Sequence, residues 1–144
     1  MEPESSDALW KLVTSNKDAV LATINADGSP HLSNVYYVVD ADSPVIRIST
    51  TATRTKGRNL LRDPRAVIHV QGSDFFNFAV VEGDVSLAIP KKPGDAAMDE
   101  QYELHVRLGA ASARPAFDQK MLAAQRLVVR LAVTNLYGLV VEDR

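Results

Sequence analysis

The sequence predicts a mainly β, α+β protein in which antiparallel strands close into a small barrel with helices at its periphery. Three observations carry this expectation. Short alternating apolar segments recur between residues 19 and 89 and again between 126 and 141. Asp27-Gly28 joins the first two as a strong hairpin signal, because both positions tolerate φ > 0. The 144 residues contain no repeat, linker or low-complexity tract, so a single domain spans 1–144. Barrel closure also explains how so much strand avoids exposed edges.

Residues 5–15 (SSDALWKLVTS) read as a helix capped by Ser6 or Asp7, with Leu9, Trp10, Leu12 and Val13 on its apolar face. Residues 19–24 (AVLATI) are the first strand, and 30–39 (PHLSNVYYVV) return as the second. A turn from Asp40 to Pro44 leads into 45–50 (VIRIST), with Ile46 and Ile48 on one face. Residues 54–62 (RTKGRNLLR) form a short helix stopped by Asp63-Pro64, since the residue before proline avoids the α region. Residues 66–71 alternate again, and 75–89 are long enough for a strand bent at Gly83. Pro90, Pro93 and Gly94 break the pattern. Helices follow over 96–108 and 115–125, separated by a loop, and 126–141 close the chain as strand.

Composition narrows the function classes. Hydrophobic residues at 46% and charged residues at 24% are globular values and exclude a disordered chain. Sixteen basic against eighteen acidic residues give a net charge of −2, which argues against bulk attraction to nucleic acid or membrane. The absence of cysteine excludes disulfides, thiolate metal sites and cysteine nucleophiles. No apolar stretch approaches the roughly 20 residues of a membrane helix, and the acidic start MEPESSD has no signal-peptide character. A soluble, cytoplasmic protein is expected.

The chemistry concentrates at Ser49-Thr50-Thr51-Ala52-Thr53-Arg54-Thr55-Lys56-Gly57-Arg58-Asn59. Residues 54–65 hold five basic side chains and one acid, Asp63, at a strand-to-helix junction. Open N–H groups and the dipole at a helix start favour an anion, arginine adds bidentate donors and lysine a point charge, a combination that suits phosphate. A solvated basic helix face is the plainer alternative. In the second strand His31, Ser33 and Val35 share one face, and Leu32, Asn34 and Tyr36 the other. Polar groups there can hydrogen-bond a flat heterocycle, although ordinary alternation also accounts for them. His31, His69 and His105 lie too far apart for a metal-ligand motif, so no metal site is expected. No nucleophile elbow or dinucleotide fingerprint is present.

Taken together, Ala22 to His31, Ser49 to Thr51, Arg54 to Leu60 with Arg62-Asp63-Pro64-Arg65, Phe78 to Gly83 and Asn135 to Gly138 form an ordered set. That set resembles the pyridoxamine 5′-phosphate oxidase-like flavin-binding split barrels. It is most similar to the branch that binds the deazaflavin coenzyme F420, the flavin/deazaflavin oxidoreductase B group. The resemblance spans nearly the whole chain and implies a six-stranded antiparallel split barrel, the FMN-binding split barrel. It further implies a homodimer with two cofactor sites at the subunit interface. Residues Ser49, Thr50, Thr51, Arg54, Lys56 and Gly57 would form the phosphate junction, and Asn59 would hold the helix start or the phosphate. His31, Ser33, Asn34 and Val35 would line the ring system or ribityl chain, and Phe76 would approach the cofactor of the other subunit. The segment Ala113-Arg114-Pro115-Ala116-Phe117-Asp118 departs from the family pattern near the region that borders the substrate.

The implied activity is hydride transfer from reduced F420 to an unsaturated small-molecule acceptor, with no catalytic side chain identified. An FMN-dependent oxidoreductase of the same fold and a non-catalytic F420 carrier are the alternatives. A nucleic-acid binder using the 54–65 helix is disfavoured by the negative net charge and by the lack of interleaved aromatic residues.

Overall fold

A computed structural model of the chain describes residues 6–40 and 42–141. Ser5, the rest of the acidic start, and Ala41 of the expected 40–44 turn lie outside the described residues. Eleven elements run in the order α1 (Ser6–Thr14), β1 (Asp18–Ile24), β2 (Pro30–Tyr36), β3 (Val38–Asp40), β4 (Val45–Thr51), α2 (Thr55–Arg62), β5 (Val67–Gln71), β6 (Phe78–Ala88), α3 (Ala96–Arg107), α4 (Ala116–Ala123) and β7 (Arg126–Leu139). The seven strands form one antiparallel sheet in the order β2-β1-β5-β6-β7-β4-β3.

Among the described residues the strand count is seven rather than six, because 30–39 divides at Tyr37. The Tyr37 backbone N–H donates to the Lys17 carbonyl (2.9 Å), not to a ladder partner of β2 or β3. Its ring is 1% exposed, and its hydroxyl donates to the Val13 carbonyl (2.6 Å) at the end of α1. Tyr37 is also the only residue between β2 and β3, which are the two outermost strands of the sheet. A single residue can join two opposite edges only if the sheet curls until those edges meet. The result is a barrel pinned at Tyr37. It is split beyond the first residue of β3, Val38, which pairs with Arg47: Ile48–Thr51 of β4 have no strand on that side.

Alternation fills the inside. Leu21, Ile46, Ile48, Ile68, Val70, Leu127 and Leu131 are all essentially inaccessible, and Leu9 and Val13 of α1 plug one end. The Asp27-Gly28 hairpin is present, with Gly28 at φ +88 and its N–H donating to the Asn25 carbonyl (2.8 Å). The bend at Gly83 is a register shift against β7, where a Cβ would lie 2.0 Å from the Ala132 carbonyl oxygen. Residues 75–77, expected to begin this strand, instead close a turn in which Asp74 Oδ1 accepts from the Phe76 and Asn77 N–H groups. Helices α3 and α4 pack outside the barrel. Among the described residues no helix is long and apolar enough to cross a membrane.

Candidate cofactor-binding cleft

The split opens into a cleft of about 640 Å³, within the usual range for a ligand site. One wall is the end of β4, the start of α2 and the first residue of β7. The other wall comes from β1, β2 and β5, and includes Asp18, Val20, Asn34, Tyr36, His69 and Gln71.

The first wall is cationic for local reasons. Helix α2 begins at Arg54 in extended conformation with no side-chain cap, so its first-turn N–H groups stay open. The strand end can approach that helix because residue 57 is glycine: a Cβ there would lie 1.9 Å from the Thr51 carbonyl oxygen. Arg54 and Lys56 then stand over the cleft beside Arg126, which the β4–β7 register sets opposite Thr51. None of these three cations has a carboxylate within 4.0 Å among the described residues. Burial first, and then Arg54 and Arg126, hold the Lys56 ammonium below its usual value. Burial first, and then Arg54, likewise lower Arg126. Three uncompensated cations gathered in one recess repel one another, and an anion relieves that repulsion.

Hydroxyl groups complete this wall. The Thr50 side chain is 1% exposed and its Oγ1 has no hydrogen-bond partner, a costly arrangement unless a ligand or water completes it. Ser49 Oγ accepts from Arg126 Nη1 (3.3 Å), and Thr51 Oγ1 accepts from Thr53 Oγ1 (3.4 Å). Guanidinium, ammonium, hydroxyl and open helix N–H groups fit a phosphate-bearing cofactor.

The cleft thus unites Asn34, Val35, Ser49, Thr50, Thr51, Arg54 and Lys56. The other expected residues lie elsewhere. His31 lines an adjoining hollow of about 340 Å³ that shares Arg54 and Lys56 with the cleft. His31 Nδ1 and Ser33 Oγ are buried without partners. Asn59 is 3% exposed and bound inward: its Nδ2 donates to Thr23 Oγ1 and Asn25 Oδ1 (3.0 Å each), which ties α2 to β1. Phe76 is 62% exposed on the 72–77 turn, edge-on to Phe75 and away from this chain's cleft. Tyr36 joins the site as the same-face neighbour of Asn34, and Arg126, His69, Gln71 and Asp18 join unanticipated, brought in by long-range register that no local spacing marks.

A family model described as pyridoxamine 5′-phosphate oxidase matches residues 5–139. Among solved structures, an F420 reductase is 23% identical, with 94% of this chain and 98% of that chain covered and a TM-score of 0.64. An FAD-binding protein from Mesorhizobium loti is 18% identical, with 95% of each chain covered and a TM-score of 0.67. A heme binding protein from Mycobacterium smegmatis is 23% identical, with 94% of this chain and 54% of that chain covered and a TM-score of 0.63. At these identities the structural likeness shows the fold, while the family match covers nearly all of the sequence. The chain therefore belongs to the pyridoxamine 5′-phosphate oxidase family.

Proposed function

We propose that the protein is an F420-dependent oxidoreductase that moves a hydride from the reduced deazaflavin to an unsaturated small-molecule acceptor. The observation that carries this proposal is the uncompensated trio Arg54, Lys56 and Arg126 beside the partnerless Thr50 hydroxyl, in a cleft of about 640 Å³. A phosphate gains charge-assisted hydrogen bonds there, while a neutral ligand leaves the repulsion in place. The deazaflavin, rather than FMN, is supported by the ordered sequence resemblance to the F420-binding branch.

The bound coenzyme supplies the electron pair. The chain supplies position and the exclusion of water. Arg54, Lys56 and Arg126 hold the anionic end, Ser49, Thr50 and Thr51 complete its oxygen contacts, and Asn34 and Val35 line the path toward the rings.

A homodimer belongs to the same proposal. The outward face of the sheet exposes Leu32 and Tyr36, each 64% accessible, together with Tyr137, and Phe75 and Phe76 stand beside it. A second copy covering this face would bring its Phe76 toward the neighbouring cleft. Fluorescence titration against F420, FMN, FAD and hemin tests the cofactor assignment. The expected result is tightest binding of F420, with its oxidation when the reduced form is mixed with enones or quinones. Tenfold tighter binding of FMN, about 1.4 kcal/mol, overturns the deazaflavin assignment. F420 binding without turnover on any acceptor favours a carrier.

A further inference from the structure

The cationic wall accounts for one end of a ligand, and His69 stands on the other wall, in β5. The strand registers pair Asn34 with Val20, Val20 with His69, His69 with Val80 and Val80 with Tyr137. His69 therefore occupies the middle of a row that crosses five strands on the outward face. Its imidazole stacks flat on Phe78, the diagonal neighbour on β6, with ring centroids 5.3 Å apart and an interplanar angle of 11°. Stacking fixes the plane of the ring and occupies one of its faces. The nitrogens lie in the ring edge, and among the described residues neither has a hydrogen-bond partner. An aromatic ring held in place with its polar atoms unspent, on a cleft wall, is a preorganised ligand contact.

The neighbouring Gln71 is already engaged. Its Nε2 donates to the Asp74 carbonyl and to the Asn77 carbonyl (3.2 Å), which ties down the 72–77 turn. Asp18, also on this wall, is acceptor-only when ionised. Asn34, Tyr36 and His69 keep side-chain polar atoms without a hydrogen-bond partner among the described residues, and of these three His69 is the one whose ring plane is fixed by stacking on an aromatic neighbour.

We infer that His69 is a specificity-determining ligand contact, hydrogen-bonding a carbonyl on the uncharged heterocyclic end of the ligand whose phosphate sits on Arg54, Lys56 and Arg126. It builds on the phosphate-end assignment proposed above and adds the residue that reads the other end. Substitution of His69 should therefore separate the two ends of the ligand, which substitution of Lys56 cannot do.

His69→Phe keeps a flat ring on Phe78 and removes the hydrogen-bonding nitrogens, whereas His69→Gln keeps a donor and an acceptor. Each variant is titrated with F420 and, separately, with inorganic pyrophosphate. The expected outcome is about tenfold weaker F420 binding for His69→Phe, the upper range of one neutral hydrogen bond, largely restored in His69→Gln. Pyrophosphate affinity stays at the parent's value in both. An imidazole NMR signal absent from His69→Gln should shift on addition of F420 and stay in place with pyrophosphate. Parent-like F420 binding by His69→Phe overturns the inference, as does a parallel loss of F420 and pyrophosphate binding. Lys56→Ala separates the two levels: if it leaves F420 affinity unchanged, the phosphate assignment fails, whatever His69 does. Should the parent bind FMN rather than F420, the same variants are titrated with FMN, which carries an equivalent carbonyl-bearing ring. Binding of neither coenzyme overturns both proposals.

Discussion

Burial, and then the guanidinium groups of Arg54 and Arg126, hold the Lys56 ammonium below its ordinary value of 10.5. Between the depressed value and 10.5 the unfolded chain binds more protons at this site than the folded one, so Lys56 makes stability rise with pH across that window. A bound phosphate reverses the bias by favouring the charged form. Affinity for a phosphate-bearing ligand should accordingly fall as pH rises from neutrality through the depressed value. Lys56→Arg should flatten the fall, and fluorescence titration across pH reads both; a flat profile in the parent would exclude Lys56 from the phosphate site. Arg54→Ala, Lys56→Ala and Arg126→Ala should each cost about 1.5–3 kcal/mol of binding, roughly 10- to 150-fold, with thermal stability preserved. Of these three residues, Arg54 and Lys56 were legible in the sequence because they cluster with hydroxyls at a strand-to-helix junction. Arg126 was not, since it is set opposite Thr51 by the pairing of β4 with β7, seventy-five residues apart in sequence. Asn59, which the resemblance implies would hold the helix start or the phosphate, has its amide bonded to Thr23 and Asn25, a tie from α2 to β1 and the residue after it.

Elements are held in place by a few close approaches. Helix α2 lies against the end of β4 only because Gly57 presents no Cβ to the Thr51 carbonyl. Gly57→Ala should force the helix off the strand at an overpacking cost of about 1–3 kcal/mol, and should weaken ligand binding although residue 57 does not line the cleft. Thermal melts and coenzyme titration on that variant report both effects. On the opposite side α3 is tied to the barrel by Glu100, which accepts from Arg47 Nε (3.0 Å) and from Arg130 Nε and Nη2 (2.8 and 2.5 Å). Hydrogen bonding from Arg130, the largest cause, and then from Arg47 outweighs burial and lowers the Glu100 pKa from 4.5. A depressed carboxylate contributes stability that is fully present above about 4.5 and is lost as pH falls through the lowered value. Glu100→Gln should lower stability at neutral pH and reduce the parent's loss of stability on acidification, as denaturant melts across pH would register. The strands and helices were legible from their periodicity, to within a few residues at their ends. The division of 30–39 was not, because it depends on Tyr37 bonding to Lys17 and Val13, which no local pattern encodes.

At the scale of the whole molecule, Leu32, Tyr36 and Tyr137 are exposed on the outward face of the sheet and Phe75 and Phe76 on the 72–77 turn, large apolar side chains that a second copy would cover. Sedimentation velocity should find a dimer, and Tyr36→Lys should shift it toward monomer while weakening coenzyme binding. A monomeric parent with full coenzyme affinity would remove the second subunit from the site. The barrel class was legible because alternation, hairpin chemistry and edge avoidance agree, whereas its circumference depends on contacts between distant segments.

The Tyr37 junction also bears on how the molecule keeps its shape. With the sheet's two margins fused through one residue, the crevice is a wedge whose apex cannot slide. Prising it wider would pull a 1%-exposed ring from the interior and break its 2.6 Å bond to the first helix. Tyr37→Ala should therefore loosen the junction between the two margins and lower thermal stability, as a thermal melt would read.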